Sequence, residues 1–192
     1  MSKIDNDEIV EFKTQKEWEH WISKEHDKKL GVWIKMAKKG KGVTTITYSE
    51  ALDVALCYGW IDGIMRRVDD VYVIQRFSPR GKRSIWSKIN VGKVETLIKA
   101  GKMQPSGMVQ VEAAKADGRW MNAYGGQASM EVPADFKDAL GRHKKAAEFF
   151  NTLSNSNRYS ILFQIHHAKR PETRARRIQK FIQMLSEGKK PY

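Results

Sequence analysis

Apolar positions along the chain change period several times, and the changes mark out the elements. Trp18, Trp21 and Ile22 recur at i, i+3 and i+4 in a charged stretch, which predicts a helix from Thr14 to about His26 with one indole-rich stripe on the core. Thr14-Gln15-Lys16-Glu17 fits a capping box, the Thr14 hydroxyl accepting from the Glu17 amide and the Glu17 carboxylate reaching back to the Thr14 amide. The charges in between alternate in sign, as on a solvated face. After Gly31, Val32, Ile34 and Met36 alternate, so Val32 to Ala37 reads as a strand. Ala51, Leu52, Val54, Ala55 and Leu56 are apolar almost all round, the pattern of a buried helix capped by Ser49 and closed at Gly59. Ile61 to Val68 and Val71 to Phe77 are rich in β-branched and aromatic residues around Asp69-Asp70, a hairpin signal.

Beyond the hairpin the period becomes helical again. Asn90 is placed to cap Val91 to Ala100, with Val91, Val94, Leu97 and Ile98 inward and Gly101 as terminator; Ser106 is placed to cap Gly107 to Asp117. Arg119 to Gly126 is aromatic but irregular, a docked crossing segment, and a soft boundary falls between Gly125 and Val132. The last third predicts helices after Pro133 at an N1 position, over Lys145 to Leu153, over Asn157 to Ala168 behind Ser154-Asn155-Ser156, and from Pro171 to just before Gly188. The expected class is α+β: a small antiparallel sheet with flanking helices over residues 1–125, then a helical unit over 126–192.

Charge changes this picture more than composition does. The 192 residues carry 35 Lys or Arg against 22 Asp or Glu, a formal +13 that favours anionic partners, nucleic acid first. No run approaches the roughly 18 apolar residues of a membrane span. The first residues lack a basic-then-apolar leader, and Cys57 stands alone, so the cytoplasm is the expected compartment. With no nearby base, Cys57 reads as a buried, inert thiol.

The cations concentrate after the hairpin: Arg76 to Lys102 holds eight Lys or Arg and one acid, Glu95. In Ser78-Pro79-Arg80-Gly81-Lys82-Arg83, Pro79 and Gly81 suit an exposed turn. The candidate binding residues are therefore Arg76, Arg80, Lys82, Arg83, Ser84, Trp86, Ser87 and Lys88, with arginine forks for phosphate or carboxylate. Arg76, inside a strand, is the arginine most suited to an internal pair. Trp60 reads as core and Trp86 is open to either reading. Asp62, once buried, would pair with Arg66 or Arg76 and set the hairpin. Arg174 and Arg177 belong to a second basic stretch with Lys169, Arg170, Arg176 and Lys180. No Gly-Lys step is followed by Ser or Thr, which excludes a phosphate loop of the nucleoside triphosphatase kind. Five histidines without an H-x-x-x-H or C-x-x-C pattern predict no metal site and no cofactor.

The motifs CYGWIDG (57–63), QRFSPRGKRSIWSKIN (75–90), GKMQPSG (101–107), AKADGRW (114–120), VPADFKDAL (132–140) and AKRPETRARRI (168–178) together resemble the YdeI/OmpD-associated, or bacteriocin-protection, family. The resemblance implies an N-terminal domain similar to the YjbR/CyaY-like α+β fold, a small helical OmpD-associated-type unit, and a role in envelope stress. A chain at +13 repels cationic peptides, so their direct sequestration is electrostatically disfavoured. Frataxin-like relatives of that fold bind iron on an acidic helix, but here lysines interrupt the acids between Thr14 and His26. The expected function is a non-enzymatic basic protein whose hairpin and SPRGKRS loop contact an anionic partner such as nucleic acid. The alternatives are a pocket for a small anionic ligand, with turnover, lined by Trp60, Asp62, Arg76 and Trp86, and an interaction module for envelope stress. The oligomeric state is open.

Overall fold

In the computed structural model, which describes residues 7–126 and 130–191, the indole stripe, the alternating strand and the all-apolar helix meet in one core. They belong to the first of two compact units, Met1–Ala123 and Tyr124–Tyr192. Unit 1 runs β1 (Ile9–Glu11), α1 (Gln15–Glu25), β2 (Val32–Ala37), α2 (Tyr48–Cys57), β3 (Trp60–Arg67), β4 (Tyr72–Pro79), α3 (Lys88–Lys99) and α4 (Pro105–Ala116). The sheet order is β1-β2-β4-β3. Antiparallel pairing joins β2 to β4 and β4 to β3, as expected, but β1 adds a parallel pair with β2 and makes the sheet mixed. Three residues are too few for a period to show in the sequence.

Tryptophan orders this core because each indole needs both an apolar bed and an acceptor for its N–H. Trp18 donates to the Ala51 carbonyl and Trp60 to the His26 carbonyl, each at 3.1 Å, so α1 is tied to α2 and to the start of β3. Trp21 stacks on Trp18 with centroids 5.3 Å apart. Helices α2 and α4 approach so closely that a Cβ on Gly107 would sit 2.1 Å from the Cys57 carbonyl oxygen. Gly59, at φ +77°, makes the turn from α2 into β3 beside the same contact.

Several helix starts differ from the expected caps. Thr14 accepts from the Glu17 amide at 3.3 Å, but the Glu17 carboxylate accepts from Lys13, one residue earlier than the box predicts. Helix α2 starts at Thr47 and not Ser49, with a full box to Glu50. Ser87 and not Asn90 caps α3, its hydroxyl accepting from the Asn90 amide at 3.1 Å. Helix α4 begins on Pro105, behind Gln104, and not at Ser106. In each of the last three cases a second polar residue or a proline lay one to three residues upstream, and the helix starts there.

Unit 2 is helical: α5 (Ala134–Gly141), α6 (Lys144–Thr152), α7 (Asn155–His166) and α8 (Pro171–Ser186). Pro133 is the cap residue before α5, and Ser154 caps α7 by accepting from Asn157. Phe136, Phe150, Ile161, Ile165, Phe181 and Leu185 fill its separate core. Burying each such side chain stabilises by about 1.5–3 kcal/mol. The boundary expected between Gly125 and Val132 includes residues 127–129, which lie outside the described residues.

Candidate nucleic-acid interface

The loop after β4 is held from within. The Arg80 amide donates to the Gly59 carbonyl at 3.0 Å, which turns the side chain inward. Its guanidinium lies 3.7 Å from the centroid of the Trp86 ring, and Nη1 donates to Ser84 Oγ at 3.3 Å and the Ile85 carbonyl at 3.1 Å. Trp86 in turn packs on Trp120 at 4.8 Å. Arg119 Nη1 donates to the Ser84 carbonyl at 2.8 Å. The result is a loop folded over its own arginine: Arg80 is 5% exposed, Trp86 2% and Ser87 8%.

Five of the eight expected binding residues are thereby engaged within the protein. Arg80, Trp86 and Ser87 are buried, Ser84 serves the loop, and Arg76 is paired. Arg76 Nε donates to Asp7 at 2.7 Å and its Nη2 to the Leu30 carbonyl at 3.1 Å, with 14% of the side chain exposed. The cause is shared. A guanidinium is weakly hydrated and presents a planar fork and a flat face, so carbonyls and an indole can replace its water. Lys82, Arg83 and Lys88 remain at the surface, and none forms an ion pair among the described residues.

Trp60, Asp62, Arg76 and Trp86 do not converge on a pocket. Asp62 stands opposite Phe77 in the register, so strand alternation sends Arg76 to the other face of the sheet. Asp62 accepts from the Tyr48 hydroxyl at 2.8 Å instead of pairing with Arg76 or Arg66. Arg66 lies over Trp33, 4.7 Å from its centroid. Trp60 is core, as read.

A second cationic segment of unit 1 follows β2. Lys38 Nζ donates to the Asp69 carbonyl at 2.7 Å and the Lys38 amide to Val71 at 2.8 Å, which seats Lys38–Gly42 beside the β3–β4 turn. Lys39 and Lys41 are exposed there, without ion pairs among the described residues, beside a cleft of about 750 Å³ that reaches the start of α2. This turn and the SPRGKRS loop lie at opposite ends of β4, a strand about 23 Å long for its eight residues. The hairpin turn and the loop are thus two cationic poles and not one surface.

In unit 2, Arg174 grips both Asp135 oxygens, at 2.5 and 2.9 Å, and donates to the Ile165 carbonyl at 2.8 Å. Arg177 donates to the Gln164 carbonyl. Both candidates therefore tie α8 to its neighbours, and the Arg174 hydrogen bonds hold Asp135 below its usual carboxylate range. Lys169, Arg170, Arg176 and Lys180 stay exposed. Burial pushes the Cys57 thiol up to about 11, unsuited to a nucleophile. Among the described residues no three His, Cys, Asp or Glu gather as a metal site, and no helix is long and apolar enough to cross a membrane.

Unit 1 is thus an α+β domain with solvated cations at both ends of its sheet, and it is followed by a helical unit. The chain belongs to the family described as a domain of unknown function (DUF8412), whose profile matches residues 10–110, more than half of its length. Residues 129–188 match the family described as "Bacteriocin-protection, YdeI or OmpD-Associated", the likeness carried in the sequence by VPADFKDAL and AKRPETRARRI. No curated protein and no solved structure matches the chain.

Proposed function

We propose that the chain is a non-enzymatic binding protein for a polyanion, nucleic acid in first place, and that it works in the cytoplasm with a YjbR/CyaY-like first unit. One observation carries this reading: Lys39 and Lys41 at one pole of the sheet, and Lys82, Arg83 and Lys88 at the other, are exposed and without carboxylate partners among the described residues. Cations beyond both ends of an eight-residue strand suit a long regular array of charge better than a compact anion, because duplex DNA offers one charge per about 1.7 Å of its axis. A sheet backed by helices on one face supports the fold assignment.

Binding to a duplex of about 20 base pairs tests the reading. Five phosphate contacts give a slope of about −4.5 in log affinity against log salt, a loss of roughly 10²–10³-fold between 50 and 200 mM. Failure to bind duplex or single strand at 50 mM salt, or an affinity flat with salt, overturns it.

A further inference from the structure

The hairpin-turn pole has what the SPRGKRS pole lacks, a cleft with an exposed aromatic ring on its wall. The cleft of about 750 Å³ there is lined by the consecutive residues from Ala37 to Ser49, which include three lysines and no acid. Both ends of that stretch are fixed. The Ala37 amide donates to Thr45 Oγ1 at 2.9 Å, the Ile46 amide donates to the Phe12 carbonyl at 2.9 Å, and Lys38 is seated on the β3–β4 turn. Tyr48, the first residue of α2, lies on the cleft with 41% of its surface exposed, and its hydroxyl donates to Asp62 at 2.8 Å. That bond anchors the far end of the ring, so little side-chain freedom is left to lose when a ligand stacks on it.

The carboxylates on the surrounding elements are each turned to a partner of their own. Glu50 accepts from the Thr47 amide and hydroxyl at 2.9 and 2.7 Å, and Asp69 accepts from the Val71 and Tyr72 amides at 2.7 Å. Asp70 pairs with Arg67, Asp53 with Lys93 and Glu11 with Lys35. Lys39 and Lys41 are the cations left over, exposed and without ion pairs among the described residues. An anchored ring between unspent ammonium groups suits a ligand that carries both an aromatic face and a negative charge. A nucleotide unit carries both. Inside a paired duplex the bases cover one another's faces, so the ring can stack only on a base that is unpaired.

We infer that this cleft takes an unpaired nucleotide of a nucleic acid, its base on Tyr48 and its phosphate on Lys39 and Lys41. The inference rests on the polyanion reading and adds a preference for DNA whose duplex continues into unpaired bases. The SPRGKRS pole, where Trp86 is buried, supplies backbone contacts alone. Stacking accepts any base, so no sequence preference accompanies it.

The test compares two DNAs of equal charge. One is a duplex of about 20 base pairs with an overhang of about four nucleotides; the other is the same duplex with an abasic overhang, which keeps every phosphate and removes the base faces. At about 50 mM salt the full chain should bind the base-bearing form about 10-fold tighter. Tyr48→Leu should bring the two forms to one affinity with the circular dichroism of the parent, whereas Tyr48→Phe, which keeps the ring, should retain most of the difference. Equal affinity of the parent for both forms, or a preference that survives Tyr48→Leu, overturns the inference and leaves the polyanion reading standing. Failure of both forms to bind overturns the two together.

Discussion

The SPRGKRS segment of unit 1 and the TRARRI segment of unit 2 look alike as strings of charge, and both divide their cations in the same way. In unit 1 Arg80 is buried on Trp86 while Lys82, Arg83 and Lys88 remain in water. In unit 2 Arg174 and Arg177 bond to Asp135 and to carbonyls of α7, while Arg176 and Lys180 remain in water. The difference lies in what answers the buried guanidinium. Among the described residues Arg80 is met by a ring and neutral oxygens, whereas Arg174 is met by a carboxylate. A basic stretch therefore overstates the charge available to a partner, and arginine is the residue most readily diverted to structure.

The largest effect should come from Arg80→Ala, which leaves the Ile85 carbonyl and Ser84 hydroxyl without their donor and opens a void against Trp86. Urea unfolding should show a loss of about 2–4 kcal/mol. Arg80→Lys should recover only part of it, because an ammonium cannot cover the indole and reach both oxygens. A loss under 0.5 kcal/mol would mean that the loop does not depend on this contact.

Arg174→Ala should cost less, about 1–2 kcal/mol, since its pair with Asp135 is partly solvated. The carboxylate answer also makes unit 2 sensitive to acid. Arg174 lowers the folded-state pKa of Asp135, so this part of the stability is present above the ordinary carboxylate value near 4 and disappears as pH falls through the lowered one. Asp135→Asn should flatten the pH dependence of unfolding on that acid side. An unchanged slope would remove the contrast with Arg80, which is met among the described residues by Trp86, Ser84 and the Ile85 carbonyl.

The smallest effect on stability belongs to the solvated set. Replacing Lys82, Arg83 and Lys88 together by Gln should move the unfolding free energy by no more than about 0.5 kcal/mol. The same triple change should reduce the salt slope of duplex binding by about 2.7. Unchanged binding would show that this pole takes no part in it.

Most elements were readable from pattern, because burial of one face imposes a period on the residues. The strand Val32–Ala37, the hairpin and the helix from Pro171 emerged with their ends nearly in place. The choice between Thr47 and Ser49, or Ser87 and Asn90, as cap was not readable, since all four are good acceptors close together in sequence. The candidate site fared less evenly. Lys82, Arg83 and Lys88 were found by charge alone. Lys39 and Lys41 were missed as candidates because their place beside the hairpin turn depends on the pairing of β2 with β4 across more than 30 residues.

Local chemistry along the chain was enough to determine how many amphipathic segments there are, where the turns fall, and that cations exceed acids by 13. Only the packed chain decided which cations meet water, because the fate of a guanidinium depends on a ring, a carbonyl or a carboxylate brought alongside by distant segments. Asp7 reaches Arg76 across the sheet, and Asp135 reaches Arg174 from another helix. Neither partner lies near in sequence, and a count of charges carries no distances.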